Sequence, residues 1–141
     1  MAGILAGAGK PQIAALRRFG RELGMAFQIV DDVLDFIGDE AQLGKPAGSD
    51  LRQGLITLPT LCYLDRVEDD VSVNAVLSGQ RDEEHLRAAI EAVCSSGAIE
   101  ASLAEARAHA RQSQEALATL PDNSSRHTLR SLAEYVVQRK R

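Results

Sequence analysis

The chain contains no tryptophan, and its two tyrosines and three phenylalanines leave aromatics at 4% of the residues. A β sandwich draws its core from aromatic and β-branched residues, so this scarcity argues against one. The hydrophobic content is instead 45%, carried mostly by Ala, Leu, Ile and Val, which suits close-packed helices. Cysteine is scarce too. Cys62 and Cys94 stand far apart, with no CxxC or histidine-spaced pattern around them, and they read as buried free thiols in a reducing compartment. No apolar run approaches the ~18 residues of a membrane span, and Met1-Ala2-Gly3-Ile4 lacks the charged start of a signal peptide. Positive charge is short as well. The formal net charge is -4, and the one basic run, Arg139-Lys140-Arg141, is too brief to grip a nucleic acid. These absences predict a soluble, cytoplasmic chain that binds no nucleic acid and does not span a membrane.

What is present is helical periodicity. At 141 residues the chain has the length of one ordinary domain. It is expected to form a single all-α unit over residues 1–141. The opening AGILAGA reads as the tail end of a helix, which implies residues upstream of Met1. Gly9 and Lys10 break it, and Pro11 suits the first turn of a long helix to about Ile37. Ile13, Leu16, Phe19, Leu23, Phe27, Val30, Leu34 and Ile37 recur at steps of three and four, the spacing of one helix face. Gly38 to Gly54, with four glycines and Pro46, reads as a turn-rich surface loop. Thr57 and Pro59 open the next helix, LPTLCYLDRV. A shorter helix follows at about Val71 to Leu77. Asp82, Glu83 and Glu84 begin a helix to Ser96, where acids suit the positive N-terminal end, and Gly97 closes it. Another runs from Ala98 to about Leu120, and the PDNSS loop breaks it. The last, from Arg126 to about Gln138, should bury Leu129, Leu132, Ala133, Val136 and Val137.

One turn of the long helix stands out. Within AFQIVDDVLDF, Asp31 and Asp35 share a stripe with Gly24 and Gln28, and Asp32 flanks it. Like charges at i and i+4 repel, Asp is a poor helix former, and the C-terminal half of a helix disfavours anions. A cation would offset all three penalties, and oxygen ligands suit Mg²⁺, which takes one or two carboxylates and completes its shell with water and phosphate oxygens. The plainer reading is that Asp31, Asp32 and Asp35 form a solvated edge. An EF-hand is excluded, because the pattern D-x-[DN]-x-[DN]-G is absent.

The loop behind the helix favours the metal. LGKPAGSDLRQG supplies glycines that let backbone N–H groups approach an anion, one lysine, Lys45, and a further acid, Asp50. An acidic helix end followed by a phosphate-cradling loop is a more specific pairing than either part.

QIVDDVLD from Gln28 to Asp35, followed by Gly44-Lys45-Pro46, Gly48, Asp50-Leu51, Gly54, Thr57 and Pro59, resembles the second aspartate-rich motif and following loop of the trans-isoprenyl (polyprenyl) diphosphate synthases. LRRFGRELGMAFQ before it and LPDNSSRHTLRSLAEYVVQRKR at the end are similar to the same family. The resemblance implies a helical bundle, the C-terminal portion of an isoprenoid-synthase-type fold. It also implies Mg²⁺-dependent elongation of an allylic diphosphate with isopentenyl diphosphate. By motif match, Asp31 and Asp35 would be Mg²⁺ ligands, with Asp32 acting directly or through water. Lys45 would contact the allylic diphosphate, Asp50 would hold the loop or a metal-bound water, and Phe27 and Gln28 would line the pocket near the reacting carbons. Lys45 and Gln28 are thus the catalytic candidates. Thr57 and Pro59 would fix the loop to the next helix.

Two departures from the family pattern matter. Leu55 stands where many members carry a lysine after the glycine. The family's first aspartate-rich motif, with its nearby arginines, is absent. The chain is therefore expected to be the C-terminal half of a larger synthase domain. It would pair with itself or with a partner synthase subunit through the apolar flank of its long helix. The alternative is a non-catalytic helical subunit that binds Mg²⁺-diphosphate or pairs with a full-length synthase. Asp65, Glu68, Asp69 and Asp70 fan out too widely for a second metal site and read as a solvated turn. His85, His109 and His127 lack ligand spacing. Arg17, Arg18 and Arg21 read as solvated, while the Arg139 to Arg141 tail resembles the family's basic terminus, which can help close the homoallylic site.

Overall fold

The computed structural model describes residues 2–38 and 46–139. Among them every regular element is helical: α1 (Ala2–Leu5), α2 (Lys10–Ile37), α3 (Ser49–Gln53), α4 (Leu58–Leu64), α5 (Val71–Leu77), α6 (Glu83–Ser95), α7 (Ala98–Ala116) and α8 (Ser124–Gln138), with a 3₁₀ turn at Leu117–Thr119. The all-α expectation holds, and most boundaries fall within two residues of those read from periodicity and caps.

Four details differ. The segment expected to be loop from Gly38 to Gly54 contains the short helix α3. The helix expected to reach Val67 stops at Leu64, and Thr57 occupies its N-cap without capping it, since the hydroxyl makes no bond to the backbone and is buried without a partner. Leu120 lies beyond the last helical turn, which tightens to 3₁₀. In α8, Ala133 and Val136 are buried as expected, but Leu132 is 44% exposed.

The chain forms two compact units. One is built from the chain up to Gln28 and from Glu105 onward, the other from Ile29–Ala104. In the first, α2 meets α7 and α8 through small residues. Ala26 packs on Ala110 and Val136, and Phe19 packs on Ala116 and Leu117 with Leu23, Leu120 and Leu129 around them. Alanines at the crossing let helix backbones approach closely and gain dispersion contacts. Glu22 is buried on the same side of α2 and accepts from His109 Nδ1 at 2.7 Å. Asn123 caps α8 by accepting from the Arg126 N–H at 3.0 Å.

In the second unit one core collects Val33 and Phe36 of α2, Leu51 of α3, Tyr63 of α4, Val73 and Val76 of α5, Leu86, Ala89 and Val93 of α6, and Ala98 and Ile99 of α7. Two of its helices, α5 and α6, start on side-chain caps, which satisfy backbone donors that a helix leaves open. Asp70 accepts from Val73 N at 2.8 Å, and Asp82 accepts from His85 N at 3.2 Å. Asp65, Glu68 and Asp69 are exposed, as a solvated turn requires. Asp70 is not part of that solvated set, because its carboxylate also accepts from the Tyr63 hydroxyl at 2.8 Å. Cys62 and Cys94 are free thiols, half-buried rather than buried. Burial pushes the Cys94 thiol upward in pKa, with a smaller push from Glu100.

Candidate functional site

The C-terminal end of α2 is buried over a wide arc. Ile29, Val30, Val33, Leu34 and Phe36 are all buried, and the aspartates share that environment. Asp35 is 2% exposed and Asp32 8%, while Asp31 is only partly covered. The solvated-edge reading therefore fails for two of the three. A carboxylate kept from water must be compensated by hydrogen bonds or a cation.

For Asp35 the compensation comes from the loop. Its Oδ1 accepts from the Ser49 hydroxyl at 2.6 Å, and its Oδ2 accepts from the Asp50 N–H at 3.0 Å. The Asp35 main-chain carbonyl accepts from the Gly48 N–H at 2.8 Å. These bonds place the carboxylate at the N-terminus of α3, where backbone donors are open and the helix dipole favours negative charge. Gly48, the residue before α3, has φ +66 and no side chain to cap with. Asp35 supplies that cap from another part of the chain. A side chain at Gly48 would also collide with Ile90, whose Cδ1 lies 2.5 Å from where a Cβ would be.

The other end of α3 is closed by Gly54, φ +82, whose N–H donates to Leu51 O at 3.0 Å while Leu55 N–H donates to Asp50 O at 2.9 Å. This pair of bonds satisfies carbonyls that the helix end leaves open. Leu51 is fully buried in the core. Arg52 donates from Nε to Ala47 O at 3.1 Å, and its two terminal nitrogens hold Glu83 at 2.7 and 2.8 Å. The Arg52 guanidinium, the first cause, lowers the Glu83 carboxyl below its ordinary pKa. Ser49 and Arg52 were not singled out by sequence reasoning, and Glu83 was read only as an acid at the start of a helix. The only signal was a Ser-Asp pair behind a glycine.

Lys45, the expected diphosphate contact, lies outside the described residues, as does Gly44. Asp50 is brought to Asp35 through its backbone N–H. Phe27 and Gln28, the pocket candidates, end the first unit and are exposed. There Phe27, with Gly20, Leu23 and Gly24, lines an almost wholly apolar cleft of about 300 Å³, completed by Leu132, Tyr135, Val136 and Arg139 of the C-terminal segment. Arg139 lies 4.0 Å over the Phe27 ring and donates to the Phe27 carbonyl at 3.3 Å. This residue is thus tied to Phe27 by both its guanidinium face and a hydrogen bond. Arg17, Arg18 and Arg21 are exposed.

Among the described residues no three His, Cys, Asp or Glu side chains are grouped to hold a metal ion by themselves. The oxygen-only donors of Asp31, Asp32 and Asp35 nevertheless fit Mg²⁺, which does not require a protein cage and completes its shell with water and phosphate oxygens. Each histidine has a carboxylate neighbour instead: Asp82 for His85, Glu22 and Glu105 for His109, Asp122 for His127.

Among the described residues every regular element is helical, and the acidic end of α2 is bonded through Asp35 to the loop at Gly48 to Asp50. The family model described as polyprenyl synthetase matches residues 1–93. Over 141 residues the chain is 41% identical to a short chain isoprenyl diphosphate synthase of Methanothermobacter thermautotrophicus, covering 99% of this chain and 43% of that protein. It is 43% identical over 136 residues to heptaprenyl diphosphate synthase component 2 of Geobacillus stearothermophilus, covering 96% of this chain and 42% of the relative. A crystal structure of polyprenyl synthase from Caulobacter crescentus, complexed with calcium and isoprenyl diphosphate, matches with a TM-score of 0.84 at 37% identity. That match covers 96% of this chain and 42% of the other. The chain belongs to the polyprenyl synthetase family. It spans less than half the length of these relatives. Among the described residues no helix is long and apolar enough to cross a membrane.

Proposed function

We propose that the chain contributes the second aspartate-rich, Mg²⁺-diphosphate half-site of a trans-polyprenyl diphosphate synthase. The reaction is elongation of an allylic diphosphate by isopentenyl diphosphate, carried out in the cytoplasm. The observation that carries this reading is the direct attachment of the acidic end of α2 to the glycine loop, through Asp35 to Ser49 and Asp50. Bound Mg²⁺ would neutralise diphosphate oxygens and stabilise the leaving group, and Asp31, Asp32 and Asp35 are the motif that would hold it. The residues of this chain then have separate tasks. The loop from Gly48 to Gln53 is held ready before any anion arrives, so its ordering is not charged to binding. Lys45 supplies a positive charge to the diphosphate, and Asp50 holds the loop or a metal-bound water. Phe27 and Gln28 would line the pocket near the reacting carbons, with the Phe27 ring as the apolar surface that suits an isoprenoid chain.

A second reading has specific support. A relative is named as one component of a heptaprenyl diphosphate synthase, and Phe27, Leu132 and Tyr135 leave an apolar face open. On this reading the chain works as a subunit that pairs with itself or with a partner synthase chain.

Calorimetric titration with farnesyl diphosphate, in Mg²⁺ and in EDTA, tests the half-site. Heat that requires Mg²⁺ and disappears in Asp31→Asn is expected. A folded sample that gives no heat in Mg²⁺ would overturn the proposal. Prenyl elongation that appears only after a second polypeptide is added would select the subunit reading.

A further inference from the structure

Charge limits where the second unit can hold an anion. Residues 29–104 carry fifteen acidic side chains against five basic ones, so a diphosphate approaching them is repelled except where cations gather. Lys45, outside the described residues, is one of the five. Arg52 is committed to Glu83 and Ala47 O, Arg66 donates to Ser96 O at 3.4 Å, and Arg87 adds to the lowering of the Glu83 pKa. Arg81 is left. It is exposed, and among the described residues it makes no hydrogen bond or ion pair.

Its place is fixed all the same. Just before it the Gln80 N–H donates to Ala75 O at 2.9 Å, and just after it Asp82 caps α6. The guanidinium rests against Gly54: a side chain there would run into Nη2, with Cζ 2.7 Å and Nη1 3.1 Å from where a Cβ would be. The Asp50 and Leu51 carbonyls at this end of α3 are already served by the Leu55 and Gly54 N–H groups, so Arg81 is not needed as their cap. The next residue, Leu55, is 54% exposed and stands where many family members carry a lysine.

We propose that Arg81 is a diphosphate-binding residue, supplying at the C-terminal end of α3 the positive charge that Leu55 does not. The inference rests on the half-site reading and adds a residue to it. A helix of five residues is roughly 7.5 Å long, so a cation at one end of α3 acts within about a Debye length on an anion held at the other. The planar guanidinium also matches two phosphate oxygens at once, which an ammonium cannot do.

The test compares the 141-residue chain with Arg81→Gln, Arg81→Lys, Leu55→Lys and the pair Arg81→Gln with Leu55→Lys. Each would be titrated by calorimetry with inorganic diphosphate in Mg²⁺, with urea unfolding as the check on folding. Arg81→Gln should weaken binding roughly tenfold, and raised salt should narrow that gap. Arg81→Lys, which keeps the charge, should lose less. Adding Leu55→Lys to Arg81→Gln should bring affinity back to within about threefold of the parent, a rescue that a brace for Gly54 would not show. Arg81→Gln within about twofold of a binding parent would overturn the inference. So would a loss that Leu55→Lys leaves unrepaired. A folded parent that binds no Mg²⁺-diphosphate would instead overturn the half-site reading, and the inference with it.

Discussion

Arg52 holds Glu83 fork to fork, at 2.7 and 2.8 Å, while its Nε reaches back to Ala47 O at 3.1 Å. One guanidinium thus fastens the residues before α3 to the first turn of α6. Together with Asp35 at the N-terminus and Leu51 in the core, it fixes the short helix from three sides. The loop is held by side chains whose partners lie far away in sequence.

Replacing this fork should loosen the loop without unfolding the chain. Arg52→Ala is expected to speed proteolysis near Ala47 severalfold. Arg52→Lys recovers only part of the protection, since an ammonium cannot bond both carboxylate oxygens and a carbonyl in one plane. Glu83 has its carboxyl pKa lowered, first by the Arg52 bonds. Its help is present above the unfolded value of about 4.3 and is lost as pH falls through the lower folded value. Proteolysis of the parent should therefore approach that of Arg52→Ala only in acid. Equal rates for parent and Arg52→Ala at neutral pH would show that the fork holds nothing.

Much of this was legible in the sequence, and the part that was not has a physical cause. The long helix announces itself through a three-four spacing sustained from Ile13 to Ile37, α6 through the acids at its start and Gly97 behind its end, and α8 through its apolar spacing after the PDNSS loop. The short helix α3 gave no such sign. Its N-cap position is the glycine Gly48, and the capping carboxylate, Asp35, stands 15 residues before the donor it serves. Pattern reading sees local partners only. The same limit hid the burial of Asp32 and Asp35, because a helical wheel places residues by angle and cannot tell which side of the helix other elements cover. It also over-assigned Leu132 to the core: the residue falls on the apolar side of α8, yet it borders the open cleft beside Phe27. Motif spacing, by contrast, carried the aspartate-rich segment to the right family, since ligand and loop positions depend on sequence intervals that the fold keeps.

In the first unit, Glu22 is 8% exposed and receives His109 Nδ1 at 2.7 Å, with Glu105 Oε1 3.7 Å from the other ring nitrogen. Breaking a buried pair from one side leaves a polar group uncompensated, whereas removing both members does not. His109→Phe should therefore destabilise the chain by about 2 kcal/mol, and His109→Phe with Glu22→Leu should recover at least half of that loss. Urea unfolding of the parent, both single variants and the double variant measures the coupling. A double variant no more stable than His109→Phe would show that the Glu22 carboxylate finds water on its own.

The Tyr63 hydroxyl donates to Asp70 Oδ2 at 2.8 Å, and Asp70 Oδ1 accepts from Val73 N at 2.8 Å, so one carboxylate both caps α5 and anchors the end of α4. The backbone bond from Val73, ahead of the Tyr63 bond, lowers the Asp70 pKa, while burial and then Asp70 raise that of Tyr63. The two shifts bound stability from opposite sides. Asp70 contributes fully above its unfolded value of about 3.9 and loses that contribution as pH falls through the lower folded value. Tyr63 holds its proton more tightly when folded, so stability also falls once pH rises above about 10, where the unfolded phenol ionises first. Asp70→Ala removes a cap and leaves the hydroxyl without its acceptor, for a combined cost of about 2 kcal/mol at neutral pH. Asp70→Asn keeps an acceptor for Val73 N and should cost less, while flattening the acid limb of the profile. Tyr63→Phe should leave the acid limb in place, because the cap outweighs the phenol there, and should remove the alkaline one. Urea unfolding across the pH range separates these outcomes, and an acid limb equally steep in the parent and in Asp70→Asn would place the titrating group elsewhere.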